Sequence, residues 1–189
     1  MTVAIADSGA GCACATIGAA AGTILAAWAF VTLGTPAALQ RTAAQQRPEA
    51  RLGGYDAWDL EDFLRRAGQG ARDLFRRELV LHMLFAVVFG TGIALLLLGT
   101  WGRVLGPGHR LLAWLALIPA AAGVAAVIAE SVLLLKGVAP GTEGPALRRP
   151  DLVPPASSLS KAKWVLVAFS LIAIAAGAVT LAFAGTARF

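Results

Sequence analysis

Charged residues are scarce in this chain. They make up 14% of its 189 residues, whereas soluble domains average roughly a quarter. Mean hydropathy is +0.72 and 58% of the residues are hydrophobic. A protein of this length that folded in water would have too few charged side chains to cover its surface. The composition therefore excludes an ordinary soluble domain and indicates that much of the surface faces lipid.

Cysteine and histidine are also rare, with two residues of each. Cys12 and Cys14 form a Cys-x-Cys pair, but no other thiol or imidazole is placed to complete a metal site. The spacing lacks the Cys-x-x-Cys-His arrangement that attaches haem. We therefore expect no metal and no cofactor, and the oxidation state of the two thiols stays open.

Catalytic signatures are missing too. The sequence has no His-Glu-x-x-His motif, no Gly-x-Ser-x-Gly elbow and no phosphate-binding loop. Single hydroxyls such as Ser131 and Ser170 have no base beside them. We expect no catalytic residue and no enzymatic activity. The net charge of +5 does not indicate a nucleic-acid partner, because the basic residues lie between apolar runs rather than along one face.

What the sequence does contain is four apolar runs, at about residues 11–34, 79–99, 111–135 and 164–185. Each approaches or exceeds the roughly 20 residues that cross a bilayer core. Such runs form helices, because backbone polar groups find no water in lipid. We therefore predict an all-α fold, an integral membrane four-helix bundle that forms a single membrane domain over residues 1–189.

The first run is the weakest of the four, being rich in Ala and Gly. It lacks the basic segment that precedes the apolar core of a signal peptide. We expect it to be retained as the first span. The alternative is a protein of three spans whose N-terminal segment is removed or peripheral.

The distribution of Lys and Arg predicts the orientation. Eight of these residues fall in the loop 35–78 and five between 136 and 163, against three in the rest of the chain. The positive-inside rule therefore places both basic loops in the cytoplasm and both termini outside. The scarcity of Lys relative to Arg, together with the Ala, Leu and Gly content, suggests a bacterial source. We accordingly expect the bacterial cytoplasmic (inner) membrane.

The loop 35–78 contains the pattern of an amphipathic helix. Its apolar residues recur at a spacing of three and four, at Leu60, Phe63, Leu64, Ala67, Ala71, Leu74 and Phe75. Asp56 is suited to cap its first turn. Gly68 and Gly70 weaken its middle. The helix is expected to pack under the bundle, or to lie on the inner leaflet, or to dock on a partner. The segment 137–160 is rich in Pro and Gly and is expected to be an irregular cytoplasmic loop.

Glu130 is the most informative residue of the apolar runs. An ionisable side chain at that depth is costly, faces the bundle interior and usually has a partner. His82 in the second span and Lys163 at the start of the fourth lie near the same membrane side. We therefore predict an intramembrane polar cluster of Glu130, His82 and Lys163, serving either as a packing ion pair or as a relay.

Small residues indicate where helices approach closely. Gly18 and Gly22 form a small-xxx-small pair in the first span. Gly123 lies on the same helical face as Glu130. We take these three glycines as candidate helix-packing residues.

The stretch from Ala71 to Gly177 resembles a group of uncharacterised bacterial four-span proteins. The shared features are the basic and aromatic lead at residues 72–77, the path from Pro119 to Glu130-Ser131, and Lys163-Trp164 opening the fourth span. This sequence has Val127 where the group has a second acid, and His82 near another acidic position. The resemblance implies no activity, but it implies that Glu130 and Lys163 share one structural feature.

Two functional hypotheses follow. The first is an accessory, assembly or scaffold subunit that lies in the lipid bilayer and contacts a membrane-protein partner or a second copy of itself. The second is a small transporter or channel-like protein that uses the Glu130, His82 and Lys163 cluster.

Overall fold

The structure is a computed structural model that describes residues 51–68, 70–105, 110–141 and 144–186, together with Gly22. In chain order the helices are α1 (Ala57–Arg66), α2 (Ala71–Leu105), α3 (Arg110–Leu115), α4 (Ile118–Gly137) and α5 (Val153–Thr186), with a 3₁₀ turn at Pro150–Leu152. No strand occurs within these ranges, where Val138 and Leu147 form an isolated bridge. The all-helical prediction is confirmed for this part of the chain.

Three helices are long and apolar enough to cross a membrane. They are Ala71–Leu105, Ile118–Gly137 and Pro150–Phe183, with mean hydropathies of 2.4, 2.1 and 2.5 in their most apolar windows. The prediction of a helical membrane protein is confirmed at this level. The first expected span, residues 11–34, lies outside the described residues apart from the helical Gly22. The first span, and with it the total of four spans, therefore stays a prediction.

The amphipathic segment forms two helices rather than one. α1 begins after Asp56, whose carboxylate accepts from the Asp59 N–H while the Asp59 side chain accepts from the Asp56 N–H. The expected cap is thus confirmed as a capping box. Gly68 and Gly70 both have positive φ, +83° and +79°. These left-handed conformations end α1, and the rest of the apolar stripe belongs to α2.

The third span also differs from its expected bounds of 111–135. Residues 110–115 form the separate helix α3, and α4 begins only at Ile118, with Pro119 in its first turn. Proline lacks an N–H and clashes with the carbonyl four residues earlier in a continuous helix. It is tolerated at a helix start, so the apolar run is divided just before Pro119.

The segment 137–160 is more ordered than expected. Its last third belongs to α5, which begins at Val153 with Pro154 and Pro155 in the first turn, where a missing N–H costs nothing. In its first half, the Ala139 N–H donates to the Ala146 carbonyl at 2.9 Å and the Arg148 N–H donates to the Gly137 carbonyl at 2.7 Å. The prediction of an irregular loop over the whole segment is therefore wrong.

Side chains from the first turns of α2 hold this connection in place. Arg76 donates to the carbonyls of Leu135 and Val138, at 2.5 and 2.7 Å. Arg72 donates to the Gly144 carbonyl at 2.7 Å. These guanidinium groups pair carbonyls at and beyond the end of α4 that have no partner within the helix.

The three long helices pack on one another around two apolar clusters. The larger cluster lies at the end where α1 packs, and unites α1 with Phe75, Leu134 and Val153. The smaller surrounds Ile93, Leu97 and Ala120 toward the other end. The apolar stripe of α1 thus packs against α2, α4 and α5 at this end. The position of α1 relative to the lipid stays a prediction.

Candidate functional site

α4 places Glu130 on its inward face. The buried residues of this helix include Gly123, Ala126, Glu130 and Leu134, at the spacing of three and four that keeps side chains on one side of a helix. Glu130 is 1% exposed. Its side chain therefore points into the bundle, away from lipid.

α5 presents a matching inward face. Val153, Ala156, Ser160 and Lys163 follow at the same helical spacing, and none is more than 4% exposed. A lysine at a buried position of an apolar helix requires a partner of opposite charge. That partner is Glu130 on the neighbouring helix.

Lys163 and Glu130 form a direct ion pair. Lys163 Nζ lies 2.7 Å from Glu130 Oε2, and the two side chains are 5% and 2% exposed. This short distance is typical of a charge-assisted hydrogen bond. The structure thus brings two of the three predicted cluster residues into contact.

Tyr55 completes this arrangement from the segment before α1. Its hydroxyl donates to Glu130 Oε1 at 3.1 Å, and its backbone N–H donates to Ser157 Oγ on α5 at 2.9 Å. We call Tyr55, Glu130, Ser157 and Lys163 the polar junction. The junction joins α4, α5 and the segment leading into α1, and each carboxylate oxygen of Glu130 accepts a hydrogen bond.

The tight turn before Tyr55 fits closely against α5. Gly54 has a φ of +82°, and a Cβ at this position would overlap the side chains of Lys161 and Ser157. Both observations require glycine here. Glycine therefore lets the backbone approach α5 closely enough for Tyr55 to reach Glu130.

His82 is half-buried on α2, with its ring centroid 6.2 Å from that of Phe85. The Phe85 ring stacks in turn on Phe89 at 5.5 Å. The described contact of His82 is thus aromatic, and its membership of the polar cluster stays a prediction.

Sequence reasoning did not single out Tyr55, Ser157 or Glu78. Tyr55 precedes a helix in an apparently irregular linker, and no pattern connects it to a span. Ser157 lies in the expected loop. Glu78 on α2 is 2% exposed, yet it follows Arg76 and Arg77 at the edge of an apolar run, where charged residues are common. Only the packing of the helices identifies these side chains as buried.

The structure gives a different result for each of the three glycines predicted to lie where helices pack closely. Gly123 is buried, and a Cβ there would lie 3.6 Å from the Leu166 Cβ, an ordinary contact. At Gly22, no heavy atom of the described chain lies within 4 Å of that position. Gly18 falls outside the described residues. Among the glycines that the structure describes within helices, the closest approach is instead at Gly90, where a Cβ would overlap Val124.

Acidic side chains of α1 are stabilised by neighbouring arginines. Asp62 lies 2.7 Å from Arg65 and 2.8 Å from Arg66. The hydrogen bond from Arg65, followed by that from Arg66, lowers the pKa of Asp62 below its usual 3.8. Asp62 thus remains charged at neutral pH and restrains both arginines at the end of α1.

Metal binding finds no support in the described chain, where no group of three or more His, Cys, Asp or Glu side chains could hold an ion. Cys12 and Cys14 lie outside the described residues. In comparisons with known proteins, no family model, no curated protein and no solved structure matches this chain.

Proposed function

We propose that this protein is a non-enzymatic membrane subunit with an accessory, assembly or scaffold role. The observation that carries the proposal is that the ion pair of the polar junction is buried and that both carboxylate oxygens of Glu130 are hydrogen-bonded. Lys163 and Tyr55 occupy the two oxygens of Glu130, and the ion pair is at most 5% exposed. A proton or cation relay needs groups that exchange with water, whereas a packing ion pair needs groups that are sealed and paired.

The outward surface of the bundle supports contacts within the membrane. Only 11% of the most apolar window of α5 is buried. Its exposed large side chains are Trp164, Val165, Phe169, Leu171, Ile172, Val179 and Phe183. Such a surface suits lipid and the apolar face of a partner helix.

The proposed setting is the bacterial inner membrane, with the basic loops in the cytoplasm. Arg72, Arg76 and Lys163 all lie at the end of the bundle that carries α1 and the connection between α4 and α5. This concentration of basic side chains at one end supports the positive-inside assignment.

The rival function is a small transporter or channel-like protein. It has one specific observation in its favour, a buried charged pair at membrane depth. In that case the charge of Glu130 would itself be needed for function, and restoring stability without the charge would not restore flux.

The discriminating experiment is the double substitution Glu130→Gln with Lys163→Met, which removes both charges while keeping similar volumes. For a scaffold, we expect the double variant to retain the partner that co-purifies with the wild type in mild detergent. Proteoliposomes of the wild type are expected to show no proton, Na⁺ or K⁺ flux above protein-free vesicles. The exposed acid substitution Glu61→Gln is the matched control.

Two results would contradict the proposal. One is a wild-type flux that the double variant loses while its abundance and monodispersity are unchanged. The other is a wild-type chain that purifies without any stoichiometric partner or second copy.

A further inference from the structure

Two large apolar side chains near the polar junction are exposed. Leu52 in the turn before α1 is 72% exposed and Trp58 in the first turn of α1 is 69% exposed. The buried stripe of α1, formed by Leu60, Phe63 and Leu64, faces the bundle. At 100° per residue, Trp58 lies on the opposite side of the helix from that stripe.

Contacts of the neighbouring residues define the depth of this segment. The Tyr55 N–H binds Ser157, its hydroxyl binds Glu130, and Gly54 lies against Lys161. All three partners belong to helices that are long and apolar enough to span a membrane. Glu130 lies seven residues before the end of α4, and Ser157 lies in the second turn of α5, so residues 52–58 lie level with this end of the two helices.

The adjacent surface of α5 has the composition of a membrane interface. Lys161 is exposed, and Trp164 one turn further on is 38% exposed. Lysine extends its charge toward water while its stem contacts apolar groups, and indoles concentrate at the headgroup level. Gly54 lies against Lys161, and the Tyr55 N–H binds Ser157, so the segment that carries Leu52 and Trp58 lies against this part of α5.

The other end of α1 leads toward water. Arg65 lies on the same outward face as Trp58, seven positions or about 10 Å further along the helix, and its side chain is 74% exposed. α2 begins at Ala71, ahead of the Arg76 that pairs the last carbonyls of α4. α1 thus runs away from the membrane as it proceeds.

We infer that residues 52–58 form an interfacial anchor whose Leu52 and Trp58 side chains insert at the boundary between lipid headgroups and acyl chains. The indole supplies a large apolar surface and one N–H donor, which suits that boundary. Lys161, which is exposed, adds a positive charge beside the patch that is complementary to anionic headgroups. The Arg51 guanidinium is paired with Asp59 at 3.0 Å. The inference rests on the placement of the three spans in a bilayer, not on the scaffold role.

Site-directed spin labelling tests this depth. Single cysteines replace Leu52, Trp58, Arg65 or Phe169 in a full-length chain whose Cys12 and Cys14 are changed to Ser. The labelled proteins are reconstituted in vesicles of phosphatidylethanolamine and phosphatidylglycerol. The collision rates of each label with lipid-soluble oxygen and with a water-soluble nickel chelate are then compared.

We expect labels at Leu52 and Trp58 to favour oxygen over the chelate several-fold more than the label at Arg65, and less than the label at Phe169. Chelate access at Leu52 and Trp58 equal to that at Arg65 would overturn the inference. Exclusion of both oxygen and the chelate would also overturn it, because it would show that protein covers these side chains. A water-exposed label at Phe169 would instead show that the membrane placement of α5 is itself wrong.

Discussion

At the scale of single residues, the ion pair of Glu130 and Lys163 decides how the described bundle holds together. Two charges removed from water are costly, and their attraction offsets this cost only when the remaining donors and acceptors are paired. The Tyr55 hydroxyl meets this condition at Glu130. The pair therefore specifies how α4 and α5 align more than it adds net stability.

Because the cost of burying each charge is offset by its attraction to the other, we expect a double-mutant cycle on the pair to be non-additive. Glu130→Gln or Lys163→Met alone leaves an uncompensated buried charge and is expected to cost about 3–5 kcal/mol. The double variant removes both charges and is expected to recover most of that loss. Reversible unfolding of the four proteins in detergent measures the coupling, with Glu61→Gln as a surface control. Additive losses would show that the two charges do not interact.

At the scale of helices, close approach between α2 and α4 depends on Gly90. A Cβ at this position would overlap Val124, whereas a Cβ at Gly99, on the same helix, has no heavy atom of the described chain within 4 Å. Glycine also costs about 0.5–1 kcal/mol relative to Ala inside a helix. At Gly90, an alanine would therefore gain helix propensity but clash with Val124. At Gly99, it would gain helix propensity without a clash.

We expect Gly90→Ala to lower the thermal unfolding midpoint and Gly99→Ala to leave it unchanged or raise it. Overpacking a well-packed site costs typically 1–3 kcal/mol, which exceeds the gain in propensity. Shortening the opposing side chain with Val124→Ala should rescue Gly90→Ala. Equal midpoints for the two glycine variants would mean that the helices separate at Gly90 without cost.

The ion pairs of Asp62 with Arg65 and Arg66 make the stability of α1 depend on pH. The pKa of Asp62 is lowered by Arg65 and Arg66. The ionised Asp62 carboxylate therefore stabilises α1 fully above pH 3.8, which is the usual pKa of this group in an unfolded chain. This contribution is lost as the pH falls through the lower pKa that Asp62 has in the folded protein. Asp62→Asn should remove this dependence. Hydrogen exchange of α1 amides measured between pH 5 and pH 3 checks it, with Glu61→Gln as the control that keeps the dependence.

Prediction from sequence succeeded where the pattern lies within a single helix. The Asp56 cap, the apolar stripe of α1 and the location of the apolar runs all follow from short-range patterns. It failed at boundaries that local backbone chemistry decides. Positive φ at Gly68 and Gly70 divided one predicted helix, and Pro119 delayed the start of another. Pro154 and Pro155, which suggested a loop, instead occupy the first turn of α5.

At the scale of the whole molecule, the basic residues predict one orientation. Arg65 and Arg103 are both exposed arginines, located toward opposite ends of the described bundle. With Cys12 and Cys14 changed to Ser, Arg65→Cys should react with a membrane-impermeant maleimide only after spheroplasts are permeabilised. Arg103→Cys should react without permeabilisation. The reverse pattern would invert the topology and place the α1 end outside the cell.

The amino-acid sequence by itself determined that this protein lies in lipid and that its fold is helical. Apolar runs of this length can pair their backbone N–H and C=O groups in lipid only as helices. The sequence also identified Glu130 and Lys163, since charges are conspicuous in apolar surroundings. Only the tertiary structure decided what these charges contact. Tyr55 and Ser157 lie in segments without periodicity, and their contact spans 102 positions of the chain. Such a contact depends on how the helices pack, which no local pattern encodes.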